Sequence, residues 1–252
     1  GGGRCRLMGP VPGGRRTARS AGQVAAGRLW IVCAVTGTMP LMRGLMQDYP
    51  LTIDAIFRHV EQHYGDGTIA TAGPGGITRT TYAEWADRTR RLGGVLDTLG
   101  ISADGRVGTF GWNSQRHLEL YFAAPSTGRV LHTLNIRLCP EQRTYIATHA
   151  EDEGDFVDRT VLPLFWPLVD TMKTVKHVVV MDDGGDNEIP DDPRVSDYET
   201  LLAEASPVDF HVTDENSAAS MCYTSGTTGN PKGVVYSPRS TFLHTMGVMA
   251  PN

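Results

Sequence analysis

The residues of this 252-residue chain best suited to chemistry stand in one stretch, Thr224-Ser225-Gly226-Thr227-Thr228-Gly229-Asn230-Pro231-Lys232-Gly233. The hydroxyls of Thr224, Ser225, Thr227 and Thr228 are neutral donors that need no deprotonation. The glycines let the backbone enter left-handed conformations, so successive N–H groups converge on an anion. Lys232 adds a mobile cation and is one of only three lysines, with Lys173 and Lys176. Many donors, little bulk and one positive charge are what a polyphosphate requires. The string is not a Walker A loop, because Asn230-Pro231 separates Gly229 from Lys232 and Gly233 follows the lysine. Nor is it a dinucleotide fingerprint, since the lysine and the strand exit do not fit.

Other candidates carry less. His117 and His132 lie beside apolar stretches, and no carboxylate–His–nucleophile set is readable around either, so both read as structural. Asn135-Ile136-Arg137 follows a strand end, where open α/β sheets place ligands; loop hydrogen bonding explains it equally well. The acid pairs Asp182-Asp183 and Asp191-Asp192 lack ordered oxygen-ligand spacing and read as a solvated loop. No metal ligand is assigned.

Tyr223-Thr-Ser-Gly-Thr-Thr-Gly-Asn-Pro-Lys-Gly-Val resembles the AMP-binding signature of the adenylate-forming superfamily. Gly111-Trp-Asn-Ser-Gln-Arg-His-Leu-Glu-Leu-Tyr-Phe-Ala and Leu131-His-Thr-Leu-Asn-Ile-Arg-Leu are similar to its fatty-acyl-CoA synthetases. The resemblance implies a ligase that uses ATP and Mg2+ to form a fatty acyl-adenylate, then passes the acyl group to coenzyme A. By position it assigns phosphate contacts to Thr224, Ser225, Gly226, Thr227, Thr228, Gly229 and Lys232, with Lys232 as the catalytic group. One departure is Pro238-Arg239, where the family usually carries His-Arg. The family's Thr-Glu for AMP and magnesium, its ribose aspartate and its C-terminal lysine have no counterpart before Asn252. The resemblance therefore implies the N-terminal part of the adenylation domain, inactive alone. An adenylation enzyme loading a carrier protein, or a non-catalytic phosphate-binding fragment, stays open.

The elements around the loop must hold it. An apolar strand at 218–223 enters it and a second at 233–237 leaves it; Ser237 and Pro238 then open a helix. Upstream, Thr52 reads as the cap of a helix carrying Ile53, Ile56, Phe57 and Val60. A hairpin turns at 73–76, and Thr81 with Glu84 forms a capping box opening a helix that stops at Gly100. From Arg106 strands and helices alternate: strands at 106–111, 130–134, 155–158 and 175–181, helices at 115–124, 140–150, 162–172 and 196–205. Successive βα units predict an α/β fold, a doubly wound parallel sheet with flanking helices.

The composition, 40% hydrophobic and 20% charged, is that of an ordinary globular chain with a sizeable core. The net charge of −5 argues against a basic nucleic-acid-binding face, and no apolar run is long enough to span a bilayer. Small-molecule substrates are the expected partners; nothing compels export, so a cytoplasmic location is expected, and no oligomeric state is written in the sequence. Cys5, Cys33, Cys139 and Cys222 are scattered without zinc spacing, and Cys139 and Cys222 are expected as small buried hydrophobes. Residues 1–38 differ from the rest, with six Arg and no acid. They read as a disordered appendage, better explained as upstream sequence ahead of a start at Met39 or Met42 than as a transit or secretory signal. Residues 39–252 form the adenylation portion. Deleting residues 1–38 should leave the melting temperature unchanged, because the segment has too little apolar area to offset its ordering entropy. A fall of several degrees in a thermal melt would contradict this.

Overall fold

A computed structural model describes residues 44–224 and 230–249. Helix α1 (Ile53–His63) starts after Thr52, which has cap-like extended backbone but no side-chain cap bond; its hydroxyl is buried without a partner among the described residues. Strands β1 (Thr68–Gly73) and β2 (Gly76–Thr81) form the expected hairpin. Helix α2 (Tyr82–Thr98) carries the full capping box: Glu84 N–H donates to the Thr81 hydroxyl and the Glu84 carboxylate accepts from Thr81 N–H.

The alternation then runs β3 (Arg106–Phe110), α3 (Gln115–Ser126), β4 (Val130–Thr133), α4 (Pro140–Ala150), β5 (Asp152–Asp158), α5 (Leu162–Phe165), β6 (His177–Met181), β7 (Val195–Asp197) and α6 (Tyr198–Glu204). Strands β8 (Ser220–Thr224) and β9 (Lys232–Tyr236) and helix α7 (Pro238–Met249) close the described chain. The sheet order is β7-β6-β5-β3-β4-β8-β9, with every neighbouring pair parallel except β8–β9.

Two apolar layers cover the sheet. On one face Leu92, Leu96, Leu120, Ala123 and Leu202 of α2, α3 and α6 pack on Val107, Leu131, Phe156 and Val179. On the other, Ile146 and Ala147 of α4 and Leu162 and Phe165 of α5 pack on Phe110, Val157, Val178 and Val180. Helices on both faces of a mostly parallel sheet are the doubly wound arrangement that the alternation predicts.

Several expectations are corrected. The helix expected over 162–172 is broken: α5 lasts four residues, flanked by 3-10 turns at Arg159–Val161 and Trp166–Thr171. Pro167 lacks an N–H and its ring would clash with the carbonyl one turn earlier, so the α-helix stops. Strand β5 begins at Asp152, three residues before the expected Asp155, and β7 occupies residues where a helix start was expected. Helix α6, expected from residue 196, starts at Tyr198 and is capped by Asp197, which accepts from Thr200 N–H at 2.8 Å. The two described cysteines are not buried: Cys139 is exposed on the loop entering α4 and Cys222 is half-buried on β8.

Gly108 of β3 pairs with His132 of β4 on one side and Asp155 of β5 on the other. A Cβ at Gly108 would overlap the Asp155 carboxylate, so only glycine leaves that carboxylate room. Asp155 is fully buried and neither of its oxygens has a partner among the described residues. Burial, with the charge of Asp152 adding to it, pushes the Asp155 carboxyl well above the usual carboxylate range, toward the neutral acid. Gly108→Ala should destabilise the fold by about 1–3 kcal/mol, the usual cost of overpacking. In the Gly108→Ala/Asp155→Ala pair much of that cost should vanish; strictly additive losses in urea denaturation would show that the two residues do not compete for the same space.

Candidate functional site

The site is built on the end of β8. Because β8 lies parallel to β4, with Leu131 opposite Ser220 and Thr133 opposite Cys222, its C-terminal end emerges at the same edge as those of β3, β4, β5 and β6. Ligands of open α/β sheets bind at that edge. Strand β9 returns antiparallel, and the last pair of the ladder is Thr224 opposite Lys232. Opposed Cβ atoms in such a pair stand about 5 Å apart. The two strands therefore set the side chains of Thr224 and Lys232 on the same face of the ladder at the mouth of the loop.

This corrects the placement of Lys232, expected within the loop and found as the first residue of a strand. Both residues are exposed, and no described carboxylate pairs with Lys232. Ser225, Gly226, Thr227, Thr228 and Gly229 lie outside the described residues. No group of three or more His, Cys, Asp or Glu among the described residues is placed to hold a metal ion. The Mg2+ expected with ATP thus has no protein cage among the described residues, and no step is assigned to it.

Below the mouth, Tyr223 ties the loop's base to the body of the protein. Its ring crosses the backbone of Gly233, its cross-strand partner: a Cβ on Gly233 would lie 3.3 Å from Tyr223 Cζ. Its hydroxyl lies 2.6 Å from His149 Nδ1 on α4. The ring also packs 5.2 Å, centroid to centroid, from His132, whose Nδ1 is 2.8 Å from Asp152. Burial raises the Tyr223 hydroxyl, with the charge of Asp152 adding to it, so Tyr223 stays a neutral phenol. Burial likewise raises the Asp152 carboxyl, while the His132 imidazole beside it pulls the other way. Sequence reasoning missed His149 and Asp152. Neither stands at a periodic or motif position, and their partners lie 74 and 20 residues away in sequence.

The remaining candidates fall into place as structural groups. His117 is buried in α3, stacked on Tyr121 at 5.1 Å, and burial lowers its pKa, so it stays neutral near pH 7. His132 is only half satisfied: Nε2 has no partner among the described residues. Asn135 Oδ1 accepts from Arg137 N–H at 2.9 Å, the loop hydrogen bond considered above. Ser237 caps α7 through Ser240 N–H at 3.1 Å, with Pro238 as the first helical residue.

The model of the AMP-binding enzyme family matches residues 56–250. The 3-methylmercaptopropionyl-CoA ligase of Ruegeria lacuscaerulensis is 44% identical over 207 residues, which are 81% of this chain and 38% of that protein. The long-chain-fatty-acid–CoA ligase of Thermus thermophilus is 47% identical over 172 residues, 68% of this chain and 30% of its own length. The chain thus spans well under half the length of these relatives. Among solved structures, an anthranilate CoA ligase in complex with anthranoyl-AMP superposes with a TM-score of 0.67 at 20% identity, covering 77% of this chain and 36% of its own.

The tie between β8 and α4 is testable. Tyr223→Phe removes the hydroxyl and should cost about 0.5–1.5 kcal/mol, the net worth of one hydrogen bond. Adding His149→Gln should then cost less than it does in the parent chain. Full additivity in chemical denaturation would mean that the two side chains do not interact.

Proposed function

The chain belongs to the AMP-binding enzyme family, and on that premise we propose that it grips the β- and γ-phosphates of ATP for the activation of a fatty acid as acyl-adenylate. The observation that carries the reading is the pairing of Thr224 with Lys232 at the C-terminal edge of the sheet. Thr224, Ser225, Gly226, Thr227, Thr228 and Gly229 supply hydroxyl and amide donors, and Lys232 supplies the positive charge. Negative charge grows on the departing pyrophosphate, so donors fixed there favour the transition state over the ground state. A lysine about 4 Å from a phosphate contributes roughly 4 kcal/mol at an effective dielectric near 20, and less where water screens it.

The names of the relatives favour coenzyme A over a carrier protein as acceptor, and a fatty or similar small carboxylic acid as substrate. Attack on the α-phosphate requires carboxylate, phosphate and metal held in line. The described residues supply no such set, so this chain is read as the pyrophosphate grip of the reaction and not as a complete catalyst. No described helix is long and apolar enough to cross a membrane, and the unpaired thiols of Cys139 and Cys222 suit a reducing compartment such as the cytoplasm.

Pyrophosphate and Mg-ATP titrated into the chain should bind, and Lys232→Ala should weaken both about tenfold, equivalent to 1.4 kcal/mol. In an enzyme of the relatives' length carrying these residues, the same change should slow adenylation by roughly one to two decades. Unchanged affinity and unchanged ATP–pyrophosphate exchange would remove Lys232 from the role.

A further inference from the structure

Helix α1 uses one face for packing and turns the other to solvent. Ile53, Ala55 and Phe57 are buried, and Phe57 joins Trp85, Ala86 and Phe210 in a core cluster of its own. The outer face carries His59 and His63, both exposed. They stand four residues apart, so one lies a single helical turn above the other on the same stripe.

Neither imidazole is spent on the fold. Among the described residues their contacts are ring contacts: His59 with His63, and His59 edge-on to Tyr64 at 5.5 Å. The charged neighbours on the helix are already paired, Arg58 with Asp54 and Glu61 with Arg90 at 2.7 Å. Two solvent-facing imidazoles with free nitrogens, and no unpaired cation of α1 to repel a guest, are thus left together.

Their spacing suits one kind of guest. Two histidines one turn apart on a helix can ligate the same metal ion. A zinc–nitrogen bond is about 2.0–2.1 Å, so each ring centre stands roughly 3.2 Å from the ion, and two rings at a tetrahedral angle have centres about 5 Å apart. The His59 and His63 ring centroids are 5.0 Å apart, tilted by 57°. The chelating separation is therefore present before any ion arrives. Position adds to it: His63 is the last residue of α1, and the carbonyl end of a helix favours positive charge.

We propose that His59 and His63 form a two-ligand site for a divalent late transition metal such as Zn2+ or Ni2+, with water completing the coordination. Imidazole nitrogen selects such ions over Mg2+, which prefers oxygen. The ion is not the Mg2+ that accompanies ATP, and the site does not depend on how the phosphate loop is read. With two protein ligands it falls short of a cage of three or more, so the binding is reversible and open to exchange.

The test uses the full chain, without a purification tag, at pH 7.5. Zn2+ is titrated by calorimetry, and Ni2+ serves as a paramagnetic probe in NMR. Zn2+ should saturate this site with a Kd below about 100 µM, since joining two ligands strengthens binding by roughly 10²–10⁴ over one alone. His59→Gln and His63→Gln each keep a polar, helix-forming side chain at an exposed position, so the fold is kept. Each should weaken Zn2+ binding at least tenfold, whereas His244→Gln, exposed on α7, should leave it unchanged. Ni2+ should broaden the amide signals of residues 59–63 first, and a large excess of Mg2+ should not compete. Weaker binding by the parent chain, or a loss under tenfold in either α1 variant, would overturn the proposal. So would a comparable loss in His244→Gln, broadening centred elsewhere, or displacement by Mg2+.

Discussion

The parallel pairing of β8 with β4 is the constraint on which the site depends. Strand β8 arrives after the irregular segment 205–219, which returns from the opposite side of the sheet where β6, β7 and α6 lie. Leu131 N–H donates to Ala219 O at 3.0 Å, and Ala219 N–H donates to Tyr236 O at 2.9 Å. The chain before β8 is thus held from both sides before the strand proper begins. Were β8 to run the other way, the hydroxyl-rich loop would leave at the N-terminal edge, away from every crevice of the sheet. Were it shifted by one residue, Tyr223 would point off the α4 face and lose His149.

The two faces of the sheet handle buried charge differently. On the α2–α3–α6 face Glu119 is fully buried and fully engaged: Arg88 Nε donates at 2.7 Å, Gln115 Nε2 at 2.6 Å and the Tyr198 hydroxyl at 2.6 Å. Those bonds join three helices, and removing one partner from such a set strands a charge, which typically costs about 3–5 kcal/mol. On the α4 face Asp152 has the His132 imidazole, but Asp155 has no partner among the described residues. The first arrangement fixes how helices pack. The second holds a carboxyl near its neutral form beside a glycine that yields the space, and it contributes little to cohesion.

Much of this was legible in the sequence, for identifiable reasons. The hairpin, the capping box at Thr81, the Pro-led starts of α4 and α7 and the parallel strands β3, β4 and β6 follow from local rules that tertiary structure has no cause to override. The misses share a different origin. Strand β7 is three residues long, below the length at which periodicity shows. The front of β5 carries Asp152, Glu153 and Gly154, types that read as a turn and are accepted as a strand because His132, Ser102 and the space beside Ile101 receive them. Pro167 stands in an apolar run whose spacing suits a helix, and its missing N–H ends the α-helix all the same. At the site, the hydroxyls and lysine were readable because they lie together in sequence. His149 and Asp152 meet Tyr223 and His132 only through the fold, and one sequence carries no sign of that.

The strand placement of Lys232 changes what its charge can do. A lysine on a free loop loses backbone as well as side-chain freedom when it meets a phosphate, and fixing one residue's backbone costs on the order of 1–2 kcal/mol. In β9 that cost is already met by the ladder, since Thr224 and Lys232 close the β8–β9 pair and Gly233 is pinned under the Tyr223 ring. Only the side-chain rotamers remain to be ordered. The anchor continues inward through His149 to α4 and, by ring packing, through His132 to Asp152 on β5, so the base of the loop shares the rigidity of the central sheet. Preorganised charge acts on a transition state to the extent that it need not move when the bond breaks. On the proposed reading, a lysine whose backbone the ladder already holds meets a phosphate at the cost of side-chain ordering alone.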